Sequence, residues 1–353
     1  MKDKIIVCLF MFYIVIFMSL HISFKDKEIS ETERRKLSTF PKIELTNKYI
    51  TKLDKYLLDH FPFRDNFRSV KATYNYNIMN KYDNNDIYLK DNYIYKSDYP
   101  TNNKSIQNFK ETIKYLSDLF SESNKYIMII PDKNYYLESD NFLHIDYDYI
   151  YDEIRKLNME QIDIRNLLNI NDYYQTDTHW KQENILKVVY KMGDKLNFKY
   201  KPLNYNKNSI DNFYGVYYGE SAIKSNAEKL TYLSNDITEN ADVYYLENPN
   251  LKKIYNSSKL SGLDPYEVYL DGASSYIEIY NKDISNDKEI IIFRDSFGSS
   301  LIPLLIPYYS KITVVDNRYI KSDNFMNMIE NKDVDVLFMY STLIVNNSFT
   351  LKK

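Results

Sequence analysis

Four short runs of apolar residues constrain what this chain can fold into: Tyr126-Ile127-Met128-Ile129-Ile130, Ile290-Ile291-Ile292-Phe293, Ile312-Thr313-Val314-Val315 and Val334-Asp335-Val336-Leu337-Phe338-Met339. A strand with one wet face alternates apolar and polar residues, whereas a strand covered on both faces reads as a nearly continuous apolar run. Helical spacing falls between them. Ser105 is placed to cap a helix carrying Ile106, Phe109, Ile113, Leu116 and Phe120, and Leu301 to Tyr309 reads as a short helix interrupted by proline. Doubly covered strands alternating with helices predict an α/β domain of three layers with a mainly parallel sheet. Ile87-Tyr88-Leu89 and Tyr93-Ile94-Tyr95 flank Asp91-Asn92, the pattern of a hairpin. Residues 200–285 are rich in Tyr and Asn with weak periodicity, and no element is read there.

The amino terminus has its own character. Lys2 and Lys4 precede an apolar run from Ile5 to about Leu20, extendable to Phe24. About 20 helical residues span a bilayer's hydrocarbon layer. The run is long for a signal peptide and lacks a small-x-small cleavage triplet, so residues 1–25 are read as an uncleaved signal anchor, one transmembrane helix. The soluble part is expected on the extracytoplasmic side of the cell membrane. Residues 26–85 are read as a juxtamembrane linker and a helical segment leading into a domain at 86–353.

Composition removes several chemistries. Gly occurs only six times, at 193, 215, 219, 262, 272 and 298, and these positions build neither G-x-G-x-x-G nor a P-loop. No nucleotide cofactor is expected. The one cysteine, Cys8, lies in the apolar run, which excludes disulfide scaffolds, cysteine-based zinc sites and thiol catalysis in the soluble part. Four histidines make a poly-His metal centre an unattractive reading. A net charge of −3, from 46 basic and 49 acidic residues, argues against nucleic acid as a partner.

Two segments carry chemistry. In Tyr174-Gln175-Thr176-Asp177-Thr178-His179-Trp180 an extended backbone puts Asp177 and His179 on one side, where the carboxylate can hold one imidazole nitrogen and leave the other as a base. The alternative is an ordinary surface pair. In Ile292-Phe293-Arg294-Asp295-Ser296-Phe297-Gly298 a buried strand turns sharply into a helix, placing Ser296 at the carboxyl edge of the sheet, where α/β proteins bind ligands. Backbone N–H groups at the helix start are candidate oxyanion donors. A serine needs a base to become a nucleophile. The alternative is a helix N-cap. His60 and His144 are rival bases, His60 read as locally hydrogen-bonded and His144 as a loop histidine, and Arg64 and Arg318 are read as structural ion pairs.

Taken together, Asp177-Thr178-His179-Trp180 followed by Asp295-Ser296 resembles the SGNH-hydrolase-like proteins of the alginate O-acetylation type (the AlgX and AlgJ group), and especially the DHHW proteins of low-GC Gram-positive bacteria. Glu33-Arg34-Arg35-Lys36-Leu37, Asp59 to Asp65, Ile130-Pro131-Asp132-Lys133, Phe213-Tyr214-Gly215 and Asp316-Asn317-Arg318-Tyr319 echo the same group. Thr178 departs from the second letter of the family's motif, and Arg294 stands where many members have glycine. Gly215 and Asn317 are speculative oxyanion donors.

The resemblance implies an SGNH-hydrolase-like fold and an extracytoplasmic polysaccharide O-acetyltransferase with catalytic Ser296, His179 and Asp177. Its implied partners are a polysaccharide acceptor and a membrane-bound O-acyltransferase as acetyl donor. A carbohydrate esterase with the same triad, or an inactive envelope scaffold, stays open.

Overall fold

The computed structural model describes residues 2–81, 83–84, 86–137, 142–330 and 333–353. The chain divides into two compact units, one of Met1–Asn85 with Tyr218–Ser225 and one of Asp86–Tyr217 with Asn226–Lys353.

The first unit begins with α1 (Lys2–Ser23), a helix long and apolar enough to cross a membrane, most of whose apolar side chains are exposed. The stretch read as a juxtamembrane linker is more ordered than expected. Ile29–Ser30 pairs antiparallel with Arg35–Lys36, and Thr46 caps α2 (Asn47–Asp59) by accepting from the Tyr49 N–H. The Asp59-to-Asp65 turn leads into α3 (Arg64–Thr73), and one π-helical turn continues to Ile78. Asp59 is held by Arg35 at 2.6 Å and by the Ser38 N–H at 2.8 Å. Those partners outweigh the cost of burial and keep its carboxyl well below the usual carboxylate range.

The second unit carries the sheet. A hairpin of β1 (Ile87–Lys90) and β2 (Tyr93–Lys96) turns through Asp91 and Asn92, both at positive φ, as the sequence suggests. Then come β3 (Lys125–Ile130), β4 (Glu160–Gln161), the antiparallel pair β5 (Asn206–Phe213) and β6 (Glu228–Ser234), β7 (Asp242–Tyr245), β8 (Tyr276–Tyr280), β9 (Glu289–Arg294), β10 (Lys311–Val315) and β11 (Asp335–Ser341). Seven of these form one sheet in the order β7-β8-β10-β9-β11-β3-β4. From β10 to β4 every neighbouring pair is parallel, and β8 is antiparallel to both its neighbours. The four apolar runs form the four central strands. Residues 200–285 supply β5 to β8, whose mixed sequences follow from partial exposure.

Strand alternation divides the core in two. Ile290, Ile292, Val314, Leu337 and Met339 pack with Trp180, Val188, Met192 and Leu301 on one face. Ile291, Phe293, Val336 and Phe338 pack on the other with Ile106, Phe109, Ile113 and Leu116 of α4 (Asn103–Asp118) and Ile150 and Ile154 of α5 (Tyr147–Arg155). Each such side chain contributes about 1.5–3 kcal/mol by leaving water. The result is a three-layer α/β domain. Asn102, not Ser105, caps α4, accepting the Ser105 N–H at 3.1 Å. Ser105 is buried and bonded to the Val345 carbonyl at 2.9 Å, which its polar character needs.

Gly298 opens the helix after β9. A Cβ there would lie 2.8 Å from Met339 Cε and 2.9 Å from Arg294 Cβ, both buried. Gly298→Val is therefore expected to destabilise the chain by about 1–3 kcal/mol, read as a lower urea midpoint. An unchanged midpoint would show that the turn has room to spare.

Candidate active site

Strand β9 occupies the centre of the sheet, with β10 on one side and β11 on the other. Its carboxyl end turns at Asp295-Ser296 into α7 (Phe297–Leu301); α6 (Leu186–Leu196) lies between α5 and this helix in the chain. Ser296 occupies the N-cap position without capping the helix. The Ser296 side chain makes no cap bond; Asp295 takes that task, accepting the Phe297 N–H at 3.0 Å and the Ser341 N–H at 2.7 Å. The Ser296 hydroxyl is thereby left free for another partner, and Ser296 is the one residue from Ile291 to Ser300 that is not fully buried. The N–H groups of Phe297, Gly298 and Ser299 are all spent within the turn, so these helix-start donors are not open to an oxyanion.

Arg294 neither crowds this turn nor sits as a loose charge beside it. Its guanidinium is fully buried and donates to Ser299 Oγ at 3.0 Å and to the Gly272 carbonyl at 3.1 Å, with Asp316 at 3.6 Å. It fastens the turn to its neighbours from within.

The second segment is a loop rather than the extended stretch expected. Tyr173 and Trp180 form an antiparallel bridge that closes it, and the Tyr174 N–H donates to the His179 carbonyl at 3.0 Å. With no ladder inside the loop, side chains satisfy its backbone. Lys133 Nζ donates to the carbonyls of Tyr174, Gln175 and Asp177 at 3.1, 3.0 and 2.7 Å. The Glu228 carboxylate accepts the N–H groups of Gln175 and Thr176, both at 2.7 Å. Burial pushes the Lys133 amine down to about 7, opposed by Asp177, Glu228 and Asp132. Tyr95 and Tyr217 present ring faces to it at 5.5 and 4.9 Å.

Asp177 is buried and receives the His179 N–H at 3.0 Å, the Val216 N–H at 2.9 Å and His179 Nδ1 at 2.6 Å. Burial alone would raise its carboxyl; the interaction with His179 and these hydrogen bonds hold it well below the ordinary range. A carboxylate on Nδ1 fixes the N–H there and leaves a lone pair on Nε2. That atom lies 2.8 Å from Ser296 Oγ, across 117 positions of sequence. The arrangement can therefore take the serine proton and support a covalent ester on Oγ.

Two aromatic residues hold the imidazole in place. Tyr266 stacks on His179 at 3.9 Å with 7° between the rings, and its hydroxyl donates to Ser300 Oγ at 2.9 Å. Trp180 Nε1 donates to the Phe297 carbonyl at 3.1 Å and to the same Ser300 Oγ at 2.9 Å. The Asp-x-His-Trp spacing thus fastens the base-bearing loop to the serine-bearing helix.

The other sequence candidates have different tasks. Gly215 is not an oxyanion donor: its N–H is given to Thr176 Oγ1 at 2.8 Å, and a Cβ on it would lie 2.3 Å from Asp177 Cα. It lets the backbone pass close behind Asp177. Asn317 is buried and bonded to the Lys352 carbonyl and the Tyr340 hydroxyl. Arg318 pairs with Asp316 at 2.6 Å, and Arg64 with Glu33 at 2.6 Å. His60 binds the Ser38 carbonyl and His144 the Ile145 carbonyl, each at 2.8 Å. Among the described residues no three His, Cys, Asp or Glu side chains are grouped to hold a metal. Sequence reasoning assigned no role to Lys133, Glu228 or Tyr266.

The family model described as DHHW protein matches residues 136–315, which contain both segments. The chain belongs to the DHHW family. Its Thr178, where the motif's second letter is His, accepts the Tyr217 hydroxyl at 3.0 Å. No curated protein matches the sequence. Among solved structures, a DHHW family protein from Eubacterium siraeum DSM 15702 is similar with a TM-score of 0.64 and 19% identity, over 77% of this chain and 97% of that one. Bacillus cereus PatB1 is similar with a TM-score of 0.61 and 17% identity, over 74% and 97%. A second PatB1 structure, with a sulfonyl adduct, gives 0.61 and 18%, over 76% and 100%. These likenesses establish the shared fold.

Two outcomes test the geometry. Gly215→Ala must displace Asp177, so labelling of Ser296 by a fluorophosphonate probe, followed by mass spectrometry, is expected to slow at least about tenfold; an equal rate would mean the carboxylate does not orient the base. Asp177 has a lowered folded-state pKa, so the stability it contributes is complete above about pH 4 and is lost as the pH falls below that value. Asp177→Asn should flatten the acid limb of a urea-midpoint series between pH 5 and 2.5, and parallel limbs for the two proteins would contradict it.

Proposed function

We propose that this chain is an O-acetyltransferase acting on a cell-surface or secreted polysaccharide, held to the membrane by α1 with its α/β unit on the extracytoplasmic side. Ser296 Oγ attacks the carbonyl carbon of an acetyl donor while His179 Nε2 takes the hydroxyl proton. The donor's leaving group departs with that proton, and the acetyl group remains as an ester on Ser296. A sugar hydroxyl then attacks the ester carbonyl, giving its proton to His179, and the serine oxygen leaves and recovers the proton. Asp177 keeps the imidazole in the right tautomer and stabilises its charged form.

The observation that carries this reading is the 2.8 Å contact between His179 Nε2 and Ser296 Oγ, with Asp177 on the other ring nitrogen. Membership of the DHHW family supports it, and the choice of acetyl and polysaccharide rests on the resemblance to the alginate O-acetylation group. A membrane-bound O-acyltransferase is the donor partner this scheme calls for. An anchor serves such a scheme by keeping donor, enzyme and acceptor at high local concentration.

The purified full chain, offered a chromogenic acetyl ester with an oligosaccharide, is expected to yield acetylated sugar by mass spectrometry. Ser296→Ala and His179→Ala should each reduce that yield at least about 100-fold. Acetate release with no acetylated sugar would replace transfer by hydrolysis. No turnover of any ester would leave the fold without this chemistry.

A further inference from the structure

Within the first unit, the turn between α2 and α3 packs against α1. The Phe17 ring stacks on Phe61 at 5.2 Å with 7° between planes and meets Phe67 at 6.0 Å, while Phe24 meets Phe63 edge-on at 5.5 Å. Phe24 closes the apolar run, and Phe17 lies two helical turns before it, about 10 Å down the axis at 1.5 Å per residue. Whatever stacks on Phe17 shares its depth along α1.

The same region exposes an apolar stripe. Phe67, Val70, Tyr74 and Ile78 are spaced three, four and four apart along α3 and the turn after it, and are 45, 65, 48 and 66% exposed. That spacing puts them on one helical face. Phe61 and Phe63 extend the stripe at the corner, and Leu57 and Leu58 at the end of α2. The other side of α3 faces its own unit: Arg64 and Arg68 reach Glu33 at 2.6 and 3.4 Å, Ala72 is fully buried, and Asn75 donates to Asn84 at 2.8 Å. A continuous apolar face of this extent on a soluble surface calls for a cover.

We infer that this face lies in the lipid, with α3 resting in the membrane interface beside the end of α1 from which the chain emerges. The occupant is lipid rather than protein because the stripe is continuous with α1, whose own apolar side chains are exposed along a membrane-length window. The geometry is that of an in-plane amphipathic helix, apolar side in the acyl boundary and charged side toward water. The inference rests on the reading of α1 as an anchor. Its functional consequence is a unit gripped at two points rather than swinging on a single tether.

Cys8 is the only cysteine, so a Cys8→Ser background allows single labels. The full chain, reconstituted in phosphatidylcholine–phosphatidylglycerol vesicles, would carry a nitrobenzoxadiazole label at Val70→Cys, Ile78→Cys, Met11→Cys in α1, or Lys229→Cys on the exposed edge of β6. With doxyl-labelled acyl chains, the labels at 70 and 78 are expected to lose most of their fluorescence, as at 11, while the label at 229 keeps its own. Quenching at 11 with none at 70 and 78 would overturn this inference and leave the anchor standing. No quenching at 11 would overturn both. Labels at 70 and 78 that are shielded from water yet unquenched by doxyl lipid would mean a protein covers the stripe, which also overturns it.

Discussion

Lys133 is enclosed by protein, and its Nζ donates to three carbonyls of an irregular loop that has no ladder of its own. A strand or helix satisfies its own backbone, but the loop between Tyr173 and Trp180 cannot. Lys133 supplies the donors from one side and Glu228 the acceptor from the other. Losing either group would leave buried polar atoms unmatched, at a cost of about 1–3 kcal/mol for each. The position of Asp177, and so the tautomer of His179, follows from that loop holding its shape. A buried lysine thereby does structural duty for a histidine it does not touch.

The serine side is settled by a division of labour between neighbouring residues. Asp295 satisfies both the helix start and the N–H of Ser341 on the adjacent strand, which frees the Ser296 hydroxyl from the capping role that its position would ordinarily give it. Arg294 fills the space beneath with bonds to carbonyls and a hydroxyl. The turn accommodates an arginine at 294 because the guanidinium is absorbed by Asp316, Ser299 and the Gly272–Ser274 segment.

Much of the second unit could be read from the residues, because burial on two faces writes itself into a strand as an unbroken apolar run. The central strands, the Asp91-Asn92 hairpin, the helix carrying Phe109 and the residues that meet at the serine were all legible in that way or by resemblance. Other features were not. Asn102 and Ser105 both suit a cap, and only the backbone path decides between them. The Asp177–Thr178–His179 stretch looks extended by spacing, yet it takes hydrogen bonds from Lys133, Val216 and Tyr217, which lie far off in sequence and leave no local pattern. Tyr266 is one of 37 tyrosines, and nothing near it marks it as the ring against His179. The region 200–285 gave no reading because its strands lie at the sheet's margin or in a separate pair, where polar and apolar residues are mixed.

Ser300 receives both the Tyr266 hydroxyl and the Trp180 indole, and it stands one helical turn beyond Ser296 on α7. The ring that backs the imidazole and the residue next to that imidazole are thus both moored to the helix that bears the hydroxyl. When that helix shifts, the imidazole and the hydroxyl are carried with it together. The 2.8 Å contact between the imidazole and the hydroxyl is thereby braced from both of its sides.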